Sequence, residues 1–236
     1  MTLGNKTLDD LLNPITKQLG HNRIADHVGM PEWECIPERV TDGMTNDQLV
    51  DLFASEAEKI RVKVSRCSRA DLAKCIAGIV GAGTPEEGAA CSVVCASDDR
   101  FKEAGLYDEI AAQELVTNVT VWDEQLGQAN IDAAYSATYG ITYASAGIAE
   151  TGTVVQPTSA LCGRAISLLP LVHIAVVDAA TITPTMLQIM EDLAARDGKL
   201  PSQVCFISGP SATADIELVR VEGVHGPMYV DYVIVE

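Results

Sequence analysis

The chain has 236 residues, 47% hydrophobic and 21% charged, which is the composition of a folded domain with a substantial core and excludes a disordered chain. Its 16 Lys and Arg stand against 33 Asp and Glu, a formal net charge of −17 that repels phosphate backbones and excludes nucleic acid as a partner. The charge favours solubility, and an anionic ligand needs a local cluster of donors, such as helix N-termini, inside this repulsive field.

In chain order, residues 1–44 read as a peripheral segment and residues 45–236 as the α/β domain. Leu8, Leu11, Leu12, Ile15 and Leu19 recur at helical spacing, but Pro14 interrupts them, so a short helix is expected from Asn13-Pro14 to Gly20. Thr45-Asn-Asp-Gln48 is a capping-box pattern before the stripe Leu49, Leu52, Phe53 and Ile60. Val62 to Val64 reads as a short strand, and Ser68 to Asp71 opens a helix with Leu72, Cys75, Ile76 and Ile79 inward. Cys91 to Ala96 reads as a buried strand, Asp98 or Asp99 as the cap of a helix through Ile110, and Val116 to Val121 as a further strand. Three strong strand patterns follow at Val172–Val177, Val204–Ser208 and Tyr229–Val235, with a helix capped by Thr183 and facing inward through Leu187, Met190 and Leu193. Alternating helices and strands, with apolar mass carried by Ala, Val, Ile and Leu, predict a mainly parallel sheet flanked by helices.

The seven cysteines are odd in number and irregular in spacing, without a CxxC pair. Cys91 and Cys95 lie four apart in an apolar run and read as core residues rather than metal ligands. Free thiols indicate a reducing compartment. Met1 to Asp10 lacks a signal-peptide pattern, and the most apolar stretch, Leu168 to Val177, is too short to span a bilayer, so the expected location is the cytoplasm.

Three glycine-bearing loops carry the polar residues of interest. In the first, Glu150-Thr151-Gly152-Thr153 leads into a β-branched run: either a backbone cradle with Glu150 as acid, base or nucleophile, or a hairpin turn with an exposed Glu. The second, Gly209-Pro210-Ser211-Ala-Thr213-Ala-Asp215-Ile-Glu217, follows a buried strand directly, which puts it at the carboxyl edge where open α/β sheets bind ligands; equally, Ser211 or Thr213 serves as a helix cap. The third, Gly223-Val-His225-Gly226-Pro227, presents a histidine between glycines, either as a general acid/base or as a solvated hairpin residue. His173, inside a strand, reads as a satisfied core histidine. Glu150, Asp215 and His225 have no recognised metal spacing, and no GxSxG elbow accompanies the Ser, His and Asp residues.

Glu150-Thr-Gly-Thr153, the run from Arg164 through Leu168-Leu-Pro170 to His173-Ile-Ala-Val176, the Gly209 to Glu217 loop and Gly223 to Pro227 together, in this order, resemble the LUD domain. The resemblance is close over Ala144 to Glu236. It implies a fold similar to the NagB/RpiA/CoA-transferase group and a part in oxidising L-lactate to pyruvate beside iron–sulfur partner subunits. It implies no cluster on this chain, in keeping with the missing CxxCxxC run. Carried over by position, Glu150, Asp215 and His225 are the catalytic candidates. Thr151, Gly152, Thr153, Arg164, Gly209, Pro210, Ser211, Thr213, Gly223 and Gly226 are the expected contacts to a small carboxylate or phosphate-bearing ligand. Two other readings stand beside this one: a stand-alone enzyme of the CoA-transferase or sugar-phosphate-isomerase type, and a non-catalytic scaffold or regulatory subunit.

Overall fold

A computed structural model describes residues 8–20, 40–85, 88–196, 200–213 and 221–236. The described residues fall into two compact units, 8–20 in the first and those from 40 onward in the second. The first contains α1 (Leu8–Gln18), which begins five residues before the expected start and carries Pro14 within it. The proline removes one backbone donor, and nearby Thr16 Oγ1 donates to the Leu12 carbonyl at 3.0 Å.

In the second unit, α2 (Asn46–Lys59) has the predicted capping box: Thr45 Oγ1 accepts from Gln48 N at 3.4 Å and Thr45 N donates to Gln48 Oε1 at 2.8 Å. After β1 (Lys63–Cys67), Ser68 caps a turn that runs into α3 (Leu72–Val80), and β2 (Cys91–Cys95) follows. Asp98 caps α4 (Asp99–Glu103), but Gly105, left-handed at φ 69°, breaks the single helix predicted through Ile110 and starts α5 (Leu106–Ala111). Then come β3 (Val116–Val121), α6 (Gln128–Ser136) and β4 (Tyr139–Tyr143). The chain continues as β5 (Ala146–Ile148), β6 (Thr153–Pro157), α7 (Ala165–Leu168), β7 (Val172–Asp178) and β8 (Ile182–Thr183). It ends in α8 (Met186–Ala194), β9 (Val204–Ile207), β10 (Ala212–Thr213), β11 (Val221–Glu222) and β12 (Tyr229–Val235). The cap of α8 is Thr185 rather than Thr183, which is held in β8. Its buried position is Ile189, whereas Leu187 and Met190 are exposed.

Six strands form a wholly parallel sheet in the order β1-β12-β7-β4-β2-β3. Strand alternation divides its side chains between two cores. Val172, Ile174, Val176, Val233 and Val235 pack on α3 and α5 through Leu72, Ile76 and Ile110. On the other face Ala175, Val177, Tyr232 and Ile234 meet Phe53, Ala54 and Ala57 of α2. Phe53 stacks on Tyr232 with ring centroids 5.6 Å apart, an arrangement worth roughly 1 kcal/mol beyond the burial of the rings.

A second sheet, β8-β5-β6-β9, lies over this same face and is covered outside by α8 through Ile189 and Leu193. This corrects the expectation for Val204–Ser208. The strand is not part of the parallel sheet; it pairs antiparallel with β6, from Val154↔Ile207 to Pro157↔Val204. The loop after it therefore does not lie at the parallel sheet's carboxyl edge. An apolar run has the same appearance in either sheet, because both are covered on two faces.

Candidate functional site

Two polar regions flank the central strands. The first is at the carboxyl ends of β2, β4 and β7. The Tyr143 hydroxyl donates to Asp178 Oδ1 at 2.7 Å, Arg69 reaches the same oxygen at 2.5 Å, and Arg100 Nη1 lies 3.4 Å from Asp178 Oδ2. The Arg100 guanidinium also grips Asp98 with two bonds of 2.9 and 2.7 Å and lies 3.4 Å over the Tyr143 ring centroid. Burial works to raise the Asp98 carboxyl, but the hydrogen bonds from Arg100 win and hold it below its ordinary value. Burial, reinforced by the bond to Asp178, pushes the Tyr143 hydroxyl up to about 12. Every charge in this network has an opposite partner.

The second region lies between the two sheets. Loops two and three meet there. Ser211 N donates to the Pro227 carbonyl and Gly223 N to the Ser211 carbonyl, both at 2.9 Å, and β10 pairs antiparallel with β11. With Gln203, Cys205 to Ser208 and the Ser167-Leu168 end of α7, they border a half-open cavity of about 360 Å³. Ser208, Gly209, Ser211, His225 and Gly226 line it, with Ser208 and His225 exposed at its rim. Arg164 joins through Gln203, donating to its Oε1 at 2.9 Å. Pro210 is buried, and Thr213 lies in β10. Asp215 and Glu217 fall outside the described residues.

His173 also lines this cavity, beside Val230 in the adjoining strand. It is 0% exposed, and its Nε2 lies 2.9 Å from Oγ1 of Thr142, also 0% exposed. The expectation of a satisfied core histidine is half right, because its buried Nδ1 has no partner among the described residues. Burial lowers the imidazole to about 4, so the ring is neutral at pH 7. An unmade hydrogen bond at a buried group costs about 1–3 kcal/mol, so a partner supplied by an ordered water or a ligand would be stabilising here.

The first loop is not part of this cavity's lining. It forms the β5–β6 hairpin, with Glu150 in a one-turn 3₁₀ segment. Glu150 Oε1 accepts from Met186 N at 3.4 Å, at the start of α8, where a carboxylate complements the helix dipole. Gly152, at φ 57°, faces α2: a Cβ there would lie 2.3 Å from Ala57 N. Gly209, at φ 78°, packs likewise 2.7 Å from the Ile60 carbonyl. Both glycines let the second sheet approach the last turn of α2. The link between loops one and two is a hydroxyl chain, Thr151 to Thr153 to Ser208, with both steps 2.7 Å.

The sequence profile of the LUD domain matches residues 50–235. The chain belongs to the LUD domain family. Among its relatives is a protein named Lactate utilization protein C from Halalkalibacterium halodurans, 35% identical over 97% of this chain and 97% of the relative. Proteins of the same name from Bacillus licheniformis and Bacillus subtilis are 36% and 34% identical, each over 100% of this chain and 98% and 99% of their own lengths. A crystal structure of a DUF162 family protein from Deinococcus radiodurans superposes with a TM-score of 0.55 at 23% identity, covering 82% of this chain and 99% of that one. That likeness establishes the shared α/β fold.

Within this LUD domain, the described residues contain no group of three or more His, Cys, Asp or Glu placed to hold a metal ion. No helix among them is long and apolar enough to cross a membrane. Cys91 and Cys95 are buried in the core, as their apolar run predicts, and burial pushes the Cys95 thiol up to about 12.

Proposed function

We propose that this LUD-domain chain serves lactate utilisation as a subunit that takes part in oxidising L-lactate to pyruvate. The two electrons leave to iron–sulfur clusters on partner subunits. The observation that carries the reading is the match to Lactate utilization protein C relatives at 34–36% identity along essentially whole chains, rather than over one motif. The chain's own contribution in this reading is the cavity between the sheets, where a neutral His173 and the hydroxyls of Ser208 and Ser211 surround a small ligand.

Covalent CoA transfer draws no support from the geometry. It requires a carboxylate nucleophile facing the ligand, and Glu150 is engaged at the N-terminus of α8 rather than in the cavity wall.

Deleting the gene should abolish growth on L-lactate and spare growth on pyruvate, and the full-length gene should restore it. Affinity purification of the tagged chain from its own host should recover proteins bearing iron–sulfur absorption. Normal growth of the deletion strain on L-lactate would contradict the reading.

A further inference from the structure

We propose that the cavity between the two sheets binds a small carboxylate, one oxygen of which accepts a hydrogen bond from Nδ1–H of neutral His173. The choice among carboxylates rests on the lactate-utilisation reading; the position of the donor does not.

Hydrogen-bond accounting ties the tautomer to the ligand. Thr142 Oγ1 and His173 Nε2 lie 2.9 Å apart, and each residue is 0% exposed. If the ring carried its proton on Nε2, it would donate to Thr142 Oγ1. The threonine proton would then have no acceptor, and Nδ1 would have no donor. If the hydroxyl donates to Nε2 instead, the ring proton sits on Nδ1 without an acceptor, and the hydroxyl oxygen is without a donor. Each arrangement leaves two capacities unmade, and a ligand oxygen that accepts from Nδ1 selects the second, with Thr142 O–H donating to His173 Nε2. The protein thus holds a buried ring nitrogen, unpartnered among the described residues, on a side chain that lines the cavity. In the second arrangement that nitrogen is an N–H donor, and a ligand with an acceptor oxygen completes it.

Charge and size narrow the class. The chain has 33 acidic residues, yet none of the described residues lining this cavity is Asp or Glu. Its polar lining includes Ser208, Ser211, Gln203 and His225 besides His173, all able to donate, and Ser167, whose hydroxyl is given to the Arg164 carbonyl. Among the described residues, an anion meets no fixed negative charge in this lining. A volume of about 360 Å³ is at the small end for ligand pockets, so it suits an acid of a few carbons rather than a nucleotide-bearing coenzyme.

The test uses the full chain labelled with ¹⁵N-histidine, with pyruvate, L-lactate and neutral lactamide as probes. Long-range ¹H–¹⁵N correlation should show His173 protonated on Nδ1 in the carboxylate complex. Pyruvate or L-lactate should shift that nitrogen saturably, and lactamide should bind more weakly. His173→Phe should weaken carboxylate binding at least about tenfold, the worth of a hydrogen bond to a charged acceptor. His173→Asn, which keeps an N–H near the Nδ1 position, should retain most of it. If His173→Phe does not fold, the wild-type tautomer and His173→Asn still decide. A proton on Nε2 in the carboxylate complex, or carboxylates that leave His173 unmoved at millimolar concentration, would overturn the proposal. Lost growth on lactate with an unresponsive His173 refutes this inference alone. Carboxylate binding through His173 in a chain dispensable for growth on lactate refutes the functional reading alone.

Discussion

The carboxyl edge of the parallel sheet and the slot between the two sheets are both polar, and they differ in what they leave unfinished. At the edge, Arg69, Arg100, Asp98, Asp178 and Tyr143 saturate one another. In the slot, His173 keeps a buried nitrogen unpaired beside open volume. Open α/β sheets ordinarily bind ligands at the edge. Here the second sheet covers one face and makes an enclosed wall elsewhere, and unmet hydrogen-bonding capacity is the better guide to the site.

The largest effect is expected where the slot is shaped. Gly140 lies beside His173 in the sheet, and a Cβ there would fall 1.9 Å from the Ile166 carbonyl of α7. Gly140→Ala should cost about 4 kcal/mol in urea unfolding, because backbone must move to relieve the clash, and it should distort the slot. An acid-dependent effect comes next. His173 in the folded chain has a pKa lowered from 6.5 to about 4, so between these pH values the unfolded chain binds a proton that the native chain does not. Stability from this group is complete above pH 6.5 and is lost as pH falls towards about 4, by about 3 kcal/mol in all. Asp231, whose carboxyl burial raises, acts in the opposite sense at the lower end of this range. Comparing wild type with His173→Asn by pH-dependent unfolding isolates the histidine's part: the variant should have the shallower acid slope.

Asp178→Ala removes the shared acceptor of Tyr143, Arg69 and Arg100. It should lower stability by about 1–2 kcal/mol, discounted for the solvent exposure of the arginines, and should leave carboxylate binding in the slot unchanged by calorimetry. A loss of binding here would move the site to the edge. The smallest effect is expected at Glu150: Glu150→Gln should cost about 0.5 kcal/mol through the α8 terminus and leave binding intact.

Much of this was legible in the sequence. The capping box at Thr45, the buried β2 and β12, and the α/β alternation rest on local patterns that tertiary structure did not override. Loops two and three line one cavity, and loop one does not. Other features depend on partners distant in sequence. Nothing local distinguishes β9 in an antiparallel second sheet from a strand of the parallel one. Gly152 and Gly209 resemble ligand-cradling glycines, but what they admit is the end of α2. The edge network has no local signature, because Arg69, Arg100, Tyr143 and Asp178 are far apart in sequence. His173 did carry a signal: a polar residue inside Leu171-Val-His-Ile-Ala-Val176 is the informative exception in an apolar strand. Its importance lies in Thr142, 31 residues earlier, which occupies one nitrogen and leaves the other unpaired.

Crystals of the chain grown with pyruvate test the central claim most directly. The carboxylate should lie in the slot with an oxygen within hydrogen-bond distance of His173 Nδ1 and the Ser208 and Ser211 hydroxyls nearby. A carboxylate seated instead against Arg69 and Arg100 at the carboxyl edge, or a slot left filled by protein side chains, would contradict the account.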